Sequence, residues 1–179
     1  MNTIYQWDEL LTSEEVSFLD SQVSVGKWEF VAGEKITDYP VRTFWYMELS
    51  DNPAVVELFK TKVENFLGKK VKTIRLYANG QAHGQSALVH TDMNPEASGE
   101  WGSLVYYSHK GWRPEYGGHL VIIDENTITD DMPKVVASIF PKTNSAVMFN
   151  SKMYHIALEP TVYCRQQRMS IAYKFKIEE

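Results

Sequence analysis

His90-Thr91-Asp92 is the stretch from which the architecture and chemistry of this chain are predicted. On a β-strand, side chains two positions apart point to the same face, so an imidazole nitrogen and a carboxylate oxygen can converge on one point. With a second histidine they would complete the set of two histidines and one carboxylate that holds non-haem Fe(II) and leaves coordination positions open. The stretch therefore predicts a metal site if a distant histidine completes it.

His155 is the candidate for that third ligand. It begins a predicted strand late in the chain, and in a jelly roll the early and late strands can face each other across the mouth of the barrel. We therefore expect His90, Asp92 and His155 to meet. The alternatives are a strand end with two exposed polar residues for the first pair, and a core histidine bonded to the backbone for His155.

The pattern around these residues is that of short strands separated by turns. Turn signals include Asn79-Gly80, Asn94-Pro95 and Gly117-Gly118. The sequence predicts a mainly β fold, a double-stranded β-helix or jelly roll. Its expected strands cover residues 71–78, 85–90, 102–108, 119–123, 135–140, 145–149, 154–158 and 167–177.

Two helices are predicted before the strands. Thr12 to Glu15 form a capping box at the start of a helix over residues 13–24. Pro53 and Gly68 mark the start and stop of a second helix over 53–67. We expect both helices to support one outer face of a single domain, with residues 1–70 as a buttress and 71–179 as the jelly-roll core.

Composition and charge narrow the function classes. The chain has 179 residues and a net charge of −5 without a basic run, which argues against nucleic-acid binding. It has one cysteine, Cys164, so an internal disulfide is impossible and a reducing compartment is expected. No apolar run approaches the roughly 18 residues of a membrane span, and the N-terminus does not resemble a signal peptide. We therefore expect a cytoplasmic protein without membrane contact.

Arg168 indicates what lies beside the metal. Strand alternation places Arg168, Ser170 and Ala172 on one face, and an inward-facing arginine needs an anion because burying it unpaired costs several kcal/mol. A cosubstrate with a carboxylate would satisfy it, since the guanidinium matches a carboxylate bidentately. Tyr107 could donate a hydroxyl to the same carboxylate, whereas Tyr106 points to the opposite face.

An ordered set of segments resembles the Fe(II)/2-oxoglutarate-dependent dioxygenases, in particular their prolyl-4-hydroxylase-like branch. These segments agree in order and spacing from about residue 74 to the end, while the first 70 residues match only in kind. They are IRLYANG, HTD followed by MNP, LVYYSHKGWRPEYGGHLVI, IFPKTNSAVMFNS leading into His155, and RMSIAYKF.

The resemblance implies a role for each matching residue. His90, Asp92 and His155 would be the Fe(II) ligands and catalytic centre. Arg168 would pair with the distal carboxylate of 2-oxoglutarate, with Tyr107 as its hydroxyl partner. The implied reaction uses O2, hydroxylates an unactivated C–H bond and releases succinate and CO2, with ascorbate as the expected reductant.

Three positions depart from the family pattern. His119 stands in Gly117-Gly118-His119-Leu120 where relatives usually carry glutamate, which makes it a second-choice ligand against an exposed strand position. The segment after His155 is longer than usual, so Arg165 is a rival for Arg168. Ala172 occupies a position where some relatives carry a hydroxyl, which weakens the expectation of tight 2-oxoglutarate binding.

The resemblance implies a prolyl residue in a peptide or protein as the first choice of substrate. A free amino acid or another small molecule is the alternative, and nucleic-acid demethylation is disfavoured by the charge. Expected substrate-contacting segments are Gly33–Pro40 with Arg42 and Trp45, the hairpin Asn79–Gln85, and Trp112 to Tyr116. The rival class is a non-oxidative cupin-like metal-binding module or isomerase, which would not explain Arg168 and Tyr107.

Overall fold

The computed structural model describes residues 3–32 and 43–178, which form two α-helices, ten β-strands and two short 3₁₀ turns. The helices are α1 (Ser13–Val25) and α2 (Pro53–Leu67). The strands are β1 (Tyr5–Trp7), β2 (Glu29–Ala32), β3 (Thr43–Glu48), β4 (Val71–Gln81), β5 (Trp101–Tyr107), β6 (Leu120–Ile123), β7 (Val135–Ile139), β8 (Ala146–Asn150), β9 (Tyr154–Ala157) and β10 (Arg168–Ile177).

The strands form two antiparallel sheets. The larger has seven strands in the order β1-β8-β5-β10-β4-β3-β2, and the smaller has three in the order β7-β6-β9. The long strand β10 lies in the middle of the large sheet, between β5 and β4. This mainly β, antiparallel arrangement with two helices confirms the predicted jelly-roll fold.

Both helices form where local signals place them. Thr12 and Glu15 exchange the two hydrogen bonds of a capping box at the start of α1. Asn52 accepts a hydrogen bond from the Val55 amide at the start of α2, and Gly68 ends that helix with a φ of +64°, a conformation that glycine adopts without strain. The predicted bounds of α2 agree with the structure, and α1 ends one residue later than expected.

The large sheet separates two hydrophobic clusters. Its outer face packs on the helices, where Phe59 of α2 contacts the rings of Tyr106 and Tyr173. Its inner face and the small sheet enclose a second, smaller cluster, to which Tyr107, Leu120, Ile122, Ile139, Val147 and Phe149 belong. The helices therefore support the sheet from outside, and the space between the sheets is left for the site. No helix in the described part of the chain is long and apolar enough to cross a membrane.

The predicted strand over residues 85–90 is wrong. This segment turns at 83–84 and makes a single antiparallel bridge, between His90 and His155. Its backbone hydrogen bonds go to the edge strand β9 of the small sheet, as when the Ala87 amide donates to Ala157 O at 3.1 Å. The segment therefore follows the edge of β9, but its pairing is too sparse to make it a strand of the sheet.

Candidate active site

His90, Asp92 and His155 lie together at one end of the space between the sheets, as the sequence predicts. One ligand atom from each lies within 4.8 Å of the others. Asp92 Oδ1 is 3.5 Å from His90 Nε2 and 3.7 Å from His155 Nε2. The backbones of the two histidines are joined by a reciprocal pair of hydrogen bonds, of 3.0 and 2.9 Å, which fixes the rings side by side.

Each histidine presents the same ring nitrogen to the centre of this group. His90 Nδ1 lies 2.9 Å from Leu88 O, and His155 Nδ1 lies 2.9 Å from Met153 O. A carbonyl oxygen only accepts, so both Nδ1 atoms carry the proton and both Nε2 atoms keep a free lone pair. Such a backbone partner is the usual orienting contact of a metal-ligating histidine.

Asp92 is held by two contacts to its carboxylate and one to its backbone amide. Ser103 Oγ of β5 donates to Oδ2 at 2.6 Å, and Ser103 is itself 2.8 Å from the hydroxyl of Ser151. The Asp92 amide donates to Ser151 O at 2.8 Å. The ammonium of Lys174, on β10, lies 2.7 Å from Oδ1. The carboxylate is therefore almost completely buried, with 3% of its side chain exposed, yet fixed in position.

The environment sets the protonation states that a metal needs. Burial raises the pKa of Asp92, but its contacts with His90, His155 and the Lys174 ammonium outweigh this and hold the pKa well below its usual range. Burial lowers the pKa of His155 to about 4, against the opposing effect of Asp92. Burial also lowers the pKa of the half-exposed His90, but the hydrogen bonds to Asp92 and to the Leu88 carbonyl, together with the charge of Asp92, raise it above its usual value. At neutral pH the group presents an ionised carboxylate and a neutral His155. Two imidazoles and a carboxylate on one side of an open space are the donor set that suits Fe(II).

Arg168 lies at the other end of the space between the sheets and is 1% exposed. Its Nε donates to Gly118 O at 2.6 Å, and its Nη1 donates to Gln81 Oε1 at 2.9 Å and Ser170 Oγ at 3.3 Å. Its Nη2 and the hydroxyl of Tyr107 have no hydrogen-bond partner among residues 3–32 and 43–178. The guanidinium carbon is 5.2 Å from the centre of the Tyr107 ring. Two neighbouring buried donors without acceptors fit an anionic ligand such as a carboxylate.

The alternatives raised by the sequence fall outside this arrangement. Arg165 is exposed in the loop before β10, whereas Arg168 is buried and lines the cavity. His119 lies beside the Phe140 ring, 5.5 Å between centres, and is not part of the metal-ligating group found in the described residues. Tyr106 packs on Phe59 in the outer core, opposite to Tyr107, as alternation predicts.

A cavity of about 470 Å³ connects the histidine–aspartate group with Arg168. Ser170 and Ala172 line it together with Arg168, which confirms the predicted inward face of β10. Phe44 and Tyr46 of β3 also line it, whereas Trp45 between them packs on Phe30.

The expected substrate-contacting segments divide as follows. Asn79 and Gln81 of the predicted hairpin line the cavity. Trp112 packs on His109 and Tyr116, with ring centres 4.1 and 5.4 Å apart. Gly33–Pro40 and Arg42 lie outside the described residues.

Sequence reasoning missed the residues that hold Asp92. Lys174 is the next alternate residue after Arg168, Ser170 and Ala172 on β10. Continuing the predicted inward face by two positions would therefore have found it. Ser103 faces Lys174 across β5 and β10, which only the strand register reveals. Ser151 ends the segment IFPKTNSAVMFNS that leads into His155, but no sequence signal indicated its contact with Ser103 and Asp92.

Comparisons with known proteins agree with this geometry. Residues 73–176 match the family model described as the 2OG-Fe(II) oxygenase superfamily. No match was found among curated protein sequences.

Several solved structures share the fold. An oxidoreductase of the 2OG-Fe(II) oxygenase family from Burkholderia pseudomallei aligns with a TM-score of 0.72 and 14% identity, covering 97% of this chain and 84% of that one. A prolyl hydroxylase from Trichoplax adhaerens, in complex with a hypoxia inducible factor peptide fragment, gives 0.69 and 16%, over 98% and 84%. HygX from Streptomyces hygroscopicus, with nickel, 2-oxoglutarate and hygromycin B bound, gives 0.68 and 10%, over 98% and 83%.

Proposed function

Because the chain belongs to the 2OG-Fe(II) oxygenase superfamily, we propose that it is an Fe(II)- and 2-oxoglutarate-dependent dioxygenase that hydroxylates an unactivated C–H bond. One observation carries the proposal. A single cavity joins two imidazoles and a carboxylate at one end to a buried, partly unsatisfied guanidinium at the other. A non-oxidative metal-binding jelly roll has no use for that second, anion-seeking end.

His90, Asp92 and His155 are the proposed metal ligands and catalytic centre. Their Nε2 lone pairs and Oδ1 converge without any change of tautomer, because both Nδ1–H groups are occupied by backbone carbonyls. A bound Fe(II) supplies the O2 chemistry that no side chain can provide. The protein positions the ligands and shields the reacting groups from water.

Arg168 and Tyr107 are the proposed partners of the distal carboxylate of 2-oxoglutarate. Nη2 and the tyrosine hydroxyl are the donors left over after Gly118, Gln81 and Ser170 have taken the other guanidinium contacts. Those three contacts fix the plane of the guanidinium before any ligand arrives. Such preorganisation lowers the entropic cost of binding.

The third part of the cavity is the proposed substrate end. Tyr46 and Tyr77 flank Arg75, whose guanidinium carbon lies 5.3 and 4.6 Å from their ring centres, and Phe44 lies on the same wall. We propose a prolyl residue in a peptide or protein as the substrate, supported by the shared fold of a prolyl hydroxylase that binds a peptide. A small molecule is the second candidate, since HygX holds hygromycin B on the same fold.

The remaining expectations stay part of this proposal. Residues 1–179 would act as one domain, supported by the pairing of β1 with β8 and of β3 with β4, which extends the jelly-roll sheet with N-terminal strands. Ascorbate would act as reductant, and the cytoplasm would be the site of action.

Two measurements test the function. Adding Fe(II) and then 2-oxoglutarate without oxygen should produce a visible charge-transfer band in the wild-type protein and none in His155→Ala. Under air, succinate should form from 2-oxoglutarate, and a panel of proline-containing peptides and small molecules should show which substrate stimulates it. Metal binding without the band and without succinate would favour the non-oxidative alternative.

A further inference from the structure

Lys174 is the unexpected member of the site. Its Nζ lies 2.7 Å from Asp92 Oδ1, which is also the carboxylate oxygen nearest to His90 Nε2 and His155 Nε2. The Lys174 side chain is 17% exposed, so the ammonium has lost most of its water. A full positive charge therefore stands against the oxygen that faces both imidazoles.

The pairing of β10 with its two neighbouring strands places Lys174 beside Asp92. Lys174 pairs with Ser103 on β5 and with Arg75 on β4. Ser103 contacts Oδ2 of Asp92 while Lys174 contacts Oδ1, so neighbouring positions of the same sheet hold the two oxygens separately. The ammonium also lies 5.2 Å from the centre of the Tyr77 ring, a second favourable place for a cation.

An ammonium at this position has opposite effects on the two states of the site. Without metal, it compensates a buried carboxylate whose other close neighbours are the imidazoles of His90 and His155. With a divalent ion present, two positive charges share one carboxylate oxygen in a poorly hydrated space, where their repulsion is only weakly screened. The neutral Ser103 contact has no such cost.

We infer that Lys174 is a positioning residue that keeps the metal-free site assembled and lowers its affinity for divalent metal. The inference rests on the proposed role of His90, Asp92 and His155 as ligands. Lys174 is the built-in counter-ion of Asp92, which the metal must displace or share. The site therefore binds its metal less tightly, and releases it more readily, than the same three ligands would without the lysine.

The test compares neutral variants with a matched control. Lys174→Met and Lys174→Gln replace the charged side chain with an apolar and a polar neutral one. If one variant does not fold, the other can still be measured. Lys176→Met makes the same change two residues further along β10, where the side chain lies over the Trp101 ring at 5.2 Å. Mn(II) is titrated into each metal-free protein, and free Mn(II) is counted by electron paramagnetic resonance. Unfolding of the metal-free and Mn(II)-loaded forms is followed by circular dichroism.

The expected result is a dissociation constant for Mn(II) at least about tenfold lower in both Lys174 variants and unchanged within about twofold in Lys176→Met. The rise in Tm on adding Mn(II) should be larger in the Lys174 variants, and their metal-free Tm lower. Unchanged or weaker Mn(II) binding in folded Lys174 variants would overturn the role of Lys174 and leave the proposed ligands intact. Wild-type protein that binds no Mn(II) would overturn both.

Discussion

The two faces of β10 carry different kinds of side chain. The outward positions Ile171, Tyr173 and Phe175 are fully buried in the helix-supported core. The inward positions alternate with them along the same backbone and are Arg168, Ser170, Ala172 and Lys174. A sheet buried on both sides usually reads as continuous hydrophobic sequence. In β10, apolar and polar residues alternate although both faces are buried. The apolar face packs in the core, and the polar face lines the candidate site.

Substituting His90 should give the largest loss of activity for a small change in stability. His90 is half exposed, so His90→Ala should change the free energy of unfolding by no more than about 0.5 kcal/mol. The substitution removes one of the three proposed metal ligands. Losing a residue that only orients a ligand costs up to about 100-fold, so we expect succinate formation to fall by more than that. Succinate assays and urea unfolding of the same samples check both halves. Retained metal at one ion per chain with normal turnover would contradict the ligand assignment.

Substituting Phe59 makes the opposite test from the outer face. Phe59 is fully buried against Tyr106 and Tyr173, so Phe59→Ala should destabilise the fold by about 3–5 kcal/mol. Turnover per folded molecule should stay within about twofold of wild type, measured at a temperature where the variant remains folded. The exposed Phe66→Ala is the control and should cost far less stability.

Arg168→Met tests the cosubstrate end of the inner face. Losing the charge-assisted hydrogen bonds to a carboxylate should raise the 2-oxoglutarate concentration needed for half-maximal rate about 100-fold, equivalent to about 2.7 kcal/mol. Arg165→Met removes the same charge from the exposed loop and should have little effect. If Arg165→Met gives the larger change, the role passes to Arg165.

A smaller effect concerns His109, a buried imidazole away from the proposed ligands. Its Nε2 donates to Pro141 O at 2.6 Å, its Nδ1 accepts from the Met169 amide at 3.3 Å, and burial lowers its pKa to about 4. The pKa in the unfolded chain is about 6.5, so acid protonates the unfolded state first. His109 therefore contributes stability above pH 6.5 that is lost as the pH falls towards 4, about 2 kcal/mol between pH 7 and 5.

Urea unfolding across that range checks the effect in the metal-free protein. His109→Gln should reduce the fall in stability by about 2 kcal/mol relative to wild type, leaving the share that belongs to His155. An unchanged pH dependence in His109→Gln would show that His109 takes up a proton equally in the folded and unfolded states.

Features encoded locally could be predicted from the sequence. The caps of both helices, at Thr12 and Asn52, use residues within three positions of one another, so the helix bounds were correct to one residue. The inward face of β10 followed from alternation alone. Metal chemistry pointed to His155 and charge pointed to Arg168, and the resemblance to a known family then gave each a role; the structure places both in one cavity.

Features that depend on neighbours distant in sequence could not be predicted. Residues 85–90 read as a strand because alternation does not show how regularly a segment pairs, and this one makes only scattered hydrogen bonds to the edge strand β9. Ser103 and Lys174 converge on Asp92 through the pairing of β5 with β10. Alternation places Lys174 on the inward face of β10, but only the strand register shows that it meets the carboxylate of Asp92 there.

The backbone bridge between His90 and His155 links formation of the site to folding of the chain. It closes a loop of 65 residues, and contacts at such separation carry a large entropic cost before they form. We therefore expect the three proposed ligands to come together as the chain folds, held by backbone contacts that need no metal. A chelator should strip the ion without unfolding the protein, and the amide protons of His90 and His155 should stay protected from hydrogen exchange afterwards.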